Sequence, residues 1–106
     1  MEPIVLTEAV YYILLSLDTP LHGYGIMQHT EKLSNGRIRI AAGTLYGALN
    51  TLLAKGWIKA LNGESSARKK EYVITPLGRQ VLLMELRRLQ ELVRNGEMLT
   101  GGWENG

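Results

Sequence analysis

The chain has 106 residues, 45% hydrophobic and 21% charged, with a net charge of +2 and no cysteine. That length supports one core rather than two, and the missing cysteine excludes disulfides and thiolate chemistry. No apolar run approaches the roughly twenty residues of a membrane span, and the apolar N-terminus carries Glu2 and Glu8 with no basic flank, unlike a secretory leader; a soluble, cytoplasmic protein is expected.

Charge is unevenly placed along the chain. Residues 1–36 carry net −3, residues 37–70 net +6 and residues 71–106 net −1. Positive charge confined to the central third is the pattern of a localised anion-binding surface, although a solvated charged face would give the same count.

In chain order, residues 4–17 place Ile4, Val5, Val10, Ile13, Leu14 and Leu17 at helical spacing, with Thr7 and Glu8 on the other side. This first helix ends at the sequence DTP, where Pro20 opposes continuation. A second helix is expected over residues 22–34, closed by Asn35 and Gly36. The alternation of Arg37, Ile38, Arg39 and Ile40 suits a very short strand. A third helix follows over residues 43–55, with Leu45, Leu49, Leu52 and Leu53 inward and Gly56 as its stop. The runs WIKAL and EYVIT form a hairpin around the basic loop NGESSARKK, and a fourth helix starts at Pro76 and runs to Asn95–Gly96. The glycine-rich residues 97–106 are expected to fray.

Helix, helix, short strand, helix, hairpin, helix is the winged helix-turn-helix order: a mainly α chain with a small β-hairpin. Residues 1–75 then form the DNA-binding unit and residues 76–96 a C-terminal helix. In that plan the third helix enters the major groove and the wing touches phosphates. Arg37, Arg39, Lys55, Arg68, Lys69 and Lys70 would gather on one surface. The third helix opens oddly, with two glycines that weaken it. Gly43 and Gly47 let the backbone approach a sugar-phosphate chain, Thr44 can cap the helix and donate to a phosphate, Tyr46 offers a rigid phenol, and Asn50 can read adenine. Tyr46 as half-buried packing is the alternative.

The fourth helix carries Leu82, Leu86, Leu89 and Val93 at spacings of a heptad seam, widened by Leu83 and Leu92, with Arg79, Glu85, Arg87, Arg88 and Glu91 largely off it. A second copy of the chain is the simplest cover, with Val10 and Leu14 of the first helix as the other wall. Enzymatic chemistry has little to stand on, because His22 and His29 lack a paired carboxylate at useful spacing and no phosphate-binding glycine loop follows a strand. No cofactor or metal is expected. A winged-helix module that binds proteins, without specific DNA binding, is the competing class.

Three stretches, HGYGI in the second helix, GTLYGALNTLLAKGWI in the third and RKKEYVITPLG from wing to fourth helix, together resemble the PadR family of bacterial transcriptional regulators in its short subgroup. The resemblance covers residues 4–95. It implies a homodimeric repressor on an inverted-repeat operator near its own gene, released by a small-molecule inducer or by cellular stress. It also implies recognition through Thr44, Leu45 and Tyr46, wing contacts through Arg68, Lys69 and Lys70, and a structural turn at His22, Gly23 and Tyr24, with Tyr24 as packing. Two departures stand out. Asn50 and Thr51 occupy positions where many relatives have a basic residue, and Leu89 stands where some drug-sensing relatives have tryptophan, so an aromatic drug-stacking pore is not implied.

Overall fold

Four helices and three strands follow one another in a computed structural model that describes residues 4–61 and 70–103. They are α1 (Glu8–Ser16), β1 (Leu21–His22), α2 (Gly23–Leu33), α3 (Ala42–Ala54), β2 (Ile58–Leu61), β3 (Glu71–Ile74) and α4 (Pro76–Thr100). The strands form an antiparallel sheet in the order β1-β3-β2, with Leu21 opposite Tyr72 and Lys59 opposite Val73. The core joins Ile13, Leu14 and Leu17 of the first helical segment, Ile26 of α2, Leu45, Leu49 and Leu52 of α3, and Ile58, Tyr72 and Ile74 of the sheet.

Local chemistry sets most element ends. Thr7 caps α1 by accepting from Val10 N–H, so the helix begins at Glu8 and the residues before it are not helical, contrary to a start at residue 4. His22 caps α2, its Nδ1 accepting from Gly25 N–H at 3.1 Å. At its other end Asn35 takes φ 55° and Gly36 N–H donates to the Glu31 carbonyl at 2.8 Å, a Schellman closure. Gly56 at φ 75° ends α3 in the same way, with Trp57 N–H donating to the Leu52 carbonyl at 3.1 Å.

The strand expected over residues 37–40 is not one. Ile38 N–H donates to Ser34 Oγ at 2.9 Å and the segment crosses to α3 without pairing; the third strand of the sheet is Leu21–His22 instead. Tyr24, expected to pack, is 62% exposed. The fourth helix also runs past Asn95–Gly96 to Thr100, so residues 97–100 belong to it rather than to a fraying tail. Its length, about 37 Å at 1.5 Å per residue, gives the molecule its elongated extents of 60 × 33 × 20 Å. No helix is long and apolar enough to cross a membrane among the described residues.

At its start α4 is locked to the domain. Thr75 Oγ1 accepts from Gly78 N–H at 3.0 Å and donates to the Gly56 carbonyl at 2.6 Å, while Thr75 N–H donates to the Trp57 carbonyl at 3.0 Å. Gly78 lies so close to that carbonyl that a Cβ there would stand 2.0 Å from Trp57 O. Only glycine permits this crossing.

Candidate nucleic-acid interface

The two faces of α3 differ completely. Leu45, Leu49 and Leu52 are buried in the core, and Gly43, Thr44, Gly47 and Asn50 line the exposed side. A Cβ built at Gly43 or at Gly47 would meet nothing within 4 Å, so neither glycine relieves a contact inside the chain. On the outer face, open space at Gly43 and Gly47 therefore alternates with the exposed side chains of Thr44 and Asn50.

The start of α3 is uncapped. Ala41 is the N-cap residue and supplies no side-chain hydrogen bond, whereas α1, α2 and α4 are capped by Thr7, His22 and Thr75. Thr44 lies inside the helix and does not cap it, contrary to expectation, because Ala42 rather than Gly43 opens the helix. The first helical bond here is Leu45 N–H to the Ala41 carbonyl at 2.9 Å, which leaves the preceding amides without a helical acceptor. With no acid in the first turn, the positive end of the helix dipole faces outward.

The surrounding charges are only partly free. Arg37 is paired with Glu8 of α1, and Arg39 Nε stands 3.6 Å from Glu31 of α2. The acidic first third of the chain thus offsets part of the basic centre, a tertiary effect that counting along the sequence does not show. Both pairs are exposed, so each contributes at most about 1 kcal/mol. Lys55 Nζ sits 5.1 Å from the Trp57 ring centroid, which steadies it at the far end of α3. Lys70 is exposed at the base of the wing, and Lys59, which the sequence did not single out, is exposed on β2. Arg68 and Lys69 lie outside the described residues.

Tyr46 is 42% exposed, and its hydroxyl lies against Gly23 at the start of α2. The two histidines are both used in structure. His22 is a cap, and His29 Nδ1 stands 2.9 Å from Ser16 Oγ, which itself donates to the Tyr12 carbonyl. Among the described residues no group of three or more His, Asp or Glu could hold a metal ion.

The expected seam on α4 divides in two. Leu82 and Leu89 are half-buried, while Leu86 and Val93 are exposed, followed by exposed Leu92, Met98 and Leu99. Val10 is half-buried, but Leu14 is wholly inside the chain's own core and is not free to form the other wall of a contact between copies. Glu85 was expected largely off the seam with the other charges and is instead 2% exposed. Its Oε1 accepts from Arg88 Nε at 2.6 Å, and its Oε2 accepts from Arg88 Nη2 at 2.8 Å and from Leu6 N–H at 2.9 Å. The Arg88 hydrogen bonds outweigh burial and hold the Glu85 carboxyl below the usual range, with Leu6 N–H assisting. The only sequence trace of this arrangement is the Glu–Arg spacing of three. Beside it lies a cavity of about 290 Å³ lined by Leu6, Tyr11, Tyr12 and Leu89.

Comparison with known proteins places this architecture. A model of the Transcriptional regulator PadR-like family matches residues 12–83. The transcriptional regulator Rv3488 of Mycobacterium tuberculosis is 35% identical over 85 residues, covering 79% of this chain and 75% of that protein. An uncharacterised 37.1 kDa protein of a Streptomyces fradiae transposon is 37% identical over 86 residues; the match covers 80% of this chain but only 24% of that longer protein. Among solved structures, a PadR family transcription regulator from Clostridium difficile superposes with a TM-score of 0.71 at 23% identity, covering 88% of this chain and 98% of that one.

Proposed function

Because the chain belongs to the PadR-like family of transcriptional regulators, we propose that it binds double-stranded DNA as a homodimer and acts as a repressor on an inverted-repeat operator near its own gene. The observation that carries this reading is the outer face of α3: uncapped, free of acids in its first turn, and kept bare by Gly43 and Gly47 where the fold itself has no use for glycine. Such a face lets the helix backbone descend into a major groove, with Thr44 and Asn50 as the polar side chains nearest the bases. Arg37 and Arg39 precede α3 in the chain, Lys55 follows it and Lys70 precedes β3; in this reading they serve phosphates, together with Arg68 and Lys69. Residues 1–75 then act as the reading unit and α4 as the dimer helix.

The exposed Leu86, Leu92 and Val93 supply the apolar face that a second copy would cover. For release by a small molecule, the supporting feature is the cavity between α1 and α4, where Tyr11, Tyr12 and Leu89 stand beside a carboxylate.

Fluorescence anisotropy on the DNA upstream of the chain's own gene, against an unrelated duplex of equal length, tests the reading. Contact with about six to ten phosphates lowers affinity by about three to five decades between 50 and 200 mM salt. Equal, weak binding to both duplexes would overturn it. Sedimentation tests the assembly: Val93→Glu on the exposed seam should give monomers with an unchanged fold, because it places a charge at an apolar contact, and a dimer that persists would refute the α4 contact.

A further inference from the structure

Tyr46 belongs to the open side of α3, yet the end of its ring is seated within the domain. A methyl built on Gly23 would stand 2.3 Å from Tyr46 Oη and 2.8 Å from Cζ, so the phenol tip rests directly on the first residue of α2. Gly23 is itself buried, and its position is fixed from behind by β1, whose Leu21 pairs with Tyr72 of β3. Tyr72 of β3 is buried, which pushes its phenol up, and the charge of Tyr46 adds to the effect. The start of α2 and the second turn of α3 thus meet at the end of one aromatic ring. No hydrogen bond joins the Tyr46 hydroxyl to another described residue, so shape rather than polarity makes the contact.

We infer that Gly23 and Tyr46 form a packed joint that sets the angle between α2 and α3, making Tyr46 a positioning residue for DNA binding rather than a DNA contact through its hydroxyl. The inference rests on the DNA-binding reading above. A carbon and an oxygen approach no closer than about 3.2 Å without repulsion, so one added methyl at Gly23 forces the ring out by about 1 Å. The obstructing atoms are the end of a half-exposed side chain, and the fold survives the displacement. With the ring displaced, the seat that holds the outer turn of α3 on α2 is lost.

Five proteins test this: the wild type, Gly23→Ala, Tyr46→Leu, the double variant and Tyr46→Phe, each measured for operator affinity and melting temperature. Gly23→Ala should weaken binding about tenfold, the equivalent of about 1.4 kcal/mol. In the Tyr46→Leu background the same alanine should change affinity less than about threefold, the mark of coupled residues. Tyr46→Phe should bind within about threefold of wild type. Equal loss in Tyr46→Phe and Tyr46→Leu would make the hydroxyl a DNA contact, and additive effects of Gly23→Ala and Tyr46→Leu would dissolve the joint; either overturns the inference.

Melting separates this failure from failure of DNA binding itself. Alanine is favoured over glycine by about 0.8–1 kcal/mol in a helix interior and by less at a first helical position such as Gly23, with the same sign. Gly23→Ala should therefore raise the melting temperature in the Tyr46→Leu background and raise it less, or lower it, in the wild type, where the collision opposes the gain. Equal shifts in both backgrounds would refute the joint, whatever the wild type does with DNA.

Discussion

Gly78 and Gly47 are both helical glycines, with the same intrinsic cost, in opposite surroundings. At Gly78 the backbone of Trp57 fills the place of a side chain, and at Gly47 nothing lies within 4 Å. The first glycine is explained by the fold alone. The second is not, which is what a residue kept for an external partner looks like. The same division runs through the helix starts: Thr75 ties α4 down with two side-chain hydrogen bonds and one from its backbone amide, and Ala41 leaves α3 open.

Substitutions at these two glycines break or sharpen the contrast. Gly78→Ala has the largest expected effect, because the obstructing atom is a backbone carbonyl already engaged by Thr75 N–H. It should destabilise the domain by about 3 kcal/mol or more, measured by urea unfolding; a smaller loss would mean that α4 can slide away from Trp57 at little cost.

Glu85→Ala tests the other tie of α4, removing the partner of Arg88 and the acceptor of Leu6 N–H together, at an expected cost of about 2–3 kcal/mol. The pH dependence has a fixed sign. The folded carboxyl titrates below its unfolded value of about 4.3, so its stabilisation is whole above that pH and is lost as pH falls through the folded value. Acid melting curves of wild type and Glu85→Ala should therefore converge at low pH; a constant gap from pH 7 to pH 2 would show that the loss is packing alone.

Gly47→Ala carries the smallest effect and the opposite sign. It should stabilise the fold by about 0.5–1 kcal/mol, since alanine meets no obstruction and favours helix, while operator affinity falls several-fold because a methyl now stands on the approaching face. Higher melting with unchanged affinity would remove the external meaning given to that glycine.

The legible part of the sequence was local. The closures at Asn35–Gly36 and Gly56, Pro76 at the start of α4 and the leucines of α3 each follow from a few neighbouring residues. What was not legible depends on residues far apart in the chain. The two-residue strand at Leu21–His22 exists only because Glu71 and Tyr72 pair with it, and the four-residue alternation at Arg37–Ile40 found no such partner. Glu85 carries a surface residue's chemistry, and the amide of Leu6 that it accepts from lies 79 residues away in the chain. Arg37 and Arg39 counted as free charge until Glu8 and Glu31 were found beside them. On the candidate interface the helix and its bare face were recognisable from spacing, and the seat of Tyr46 on Gly23 was not, because it joins two helices.

The Trp57 carbonyl that receives the start of α4 belongs to one of two tryptophans, and the other, Trp103, follows the far end of the same helix. Trp57 is 9% exposed and Trp103 75%. One chromophore is therefore shielded in the core and the other is bathed in water beyond the end of α4, so iodide quenches mainly Trp103. With Trp57→Phe and Trp103→Phe separating the two emissions, the protein reports opening of its domain and events at the tip of α4 in different spectral bands, with no dye attached.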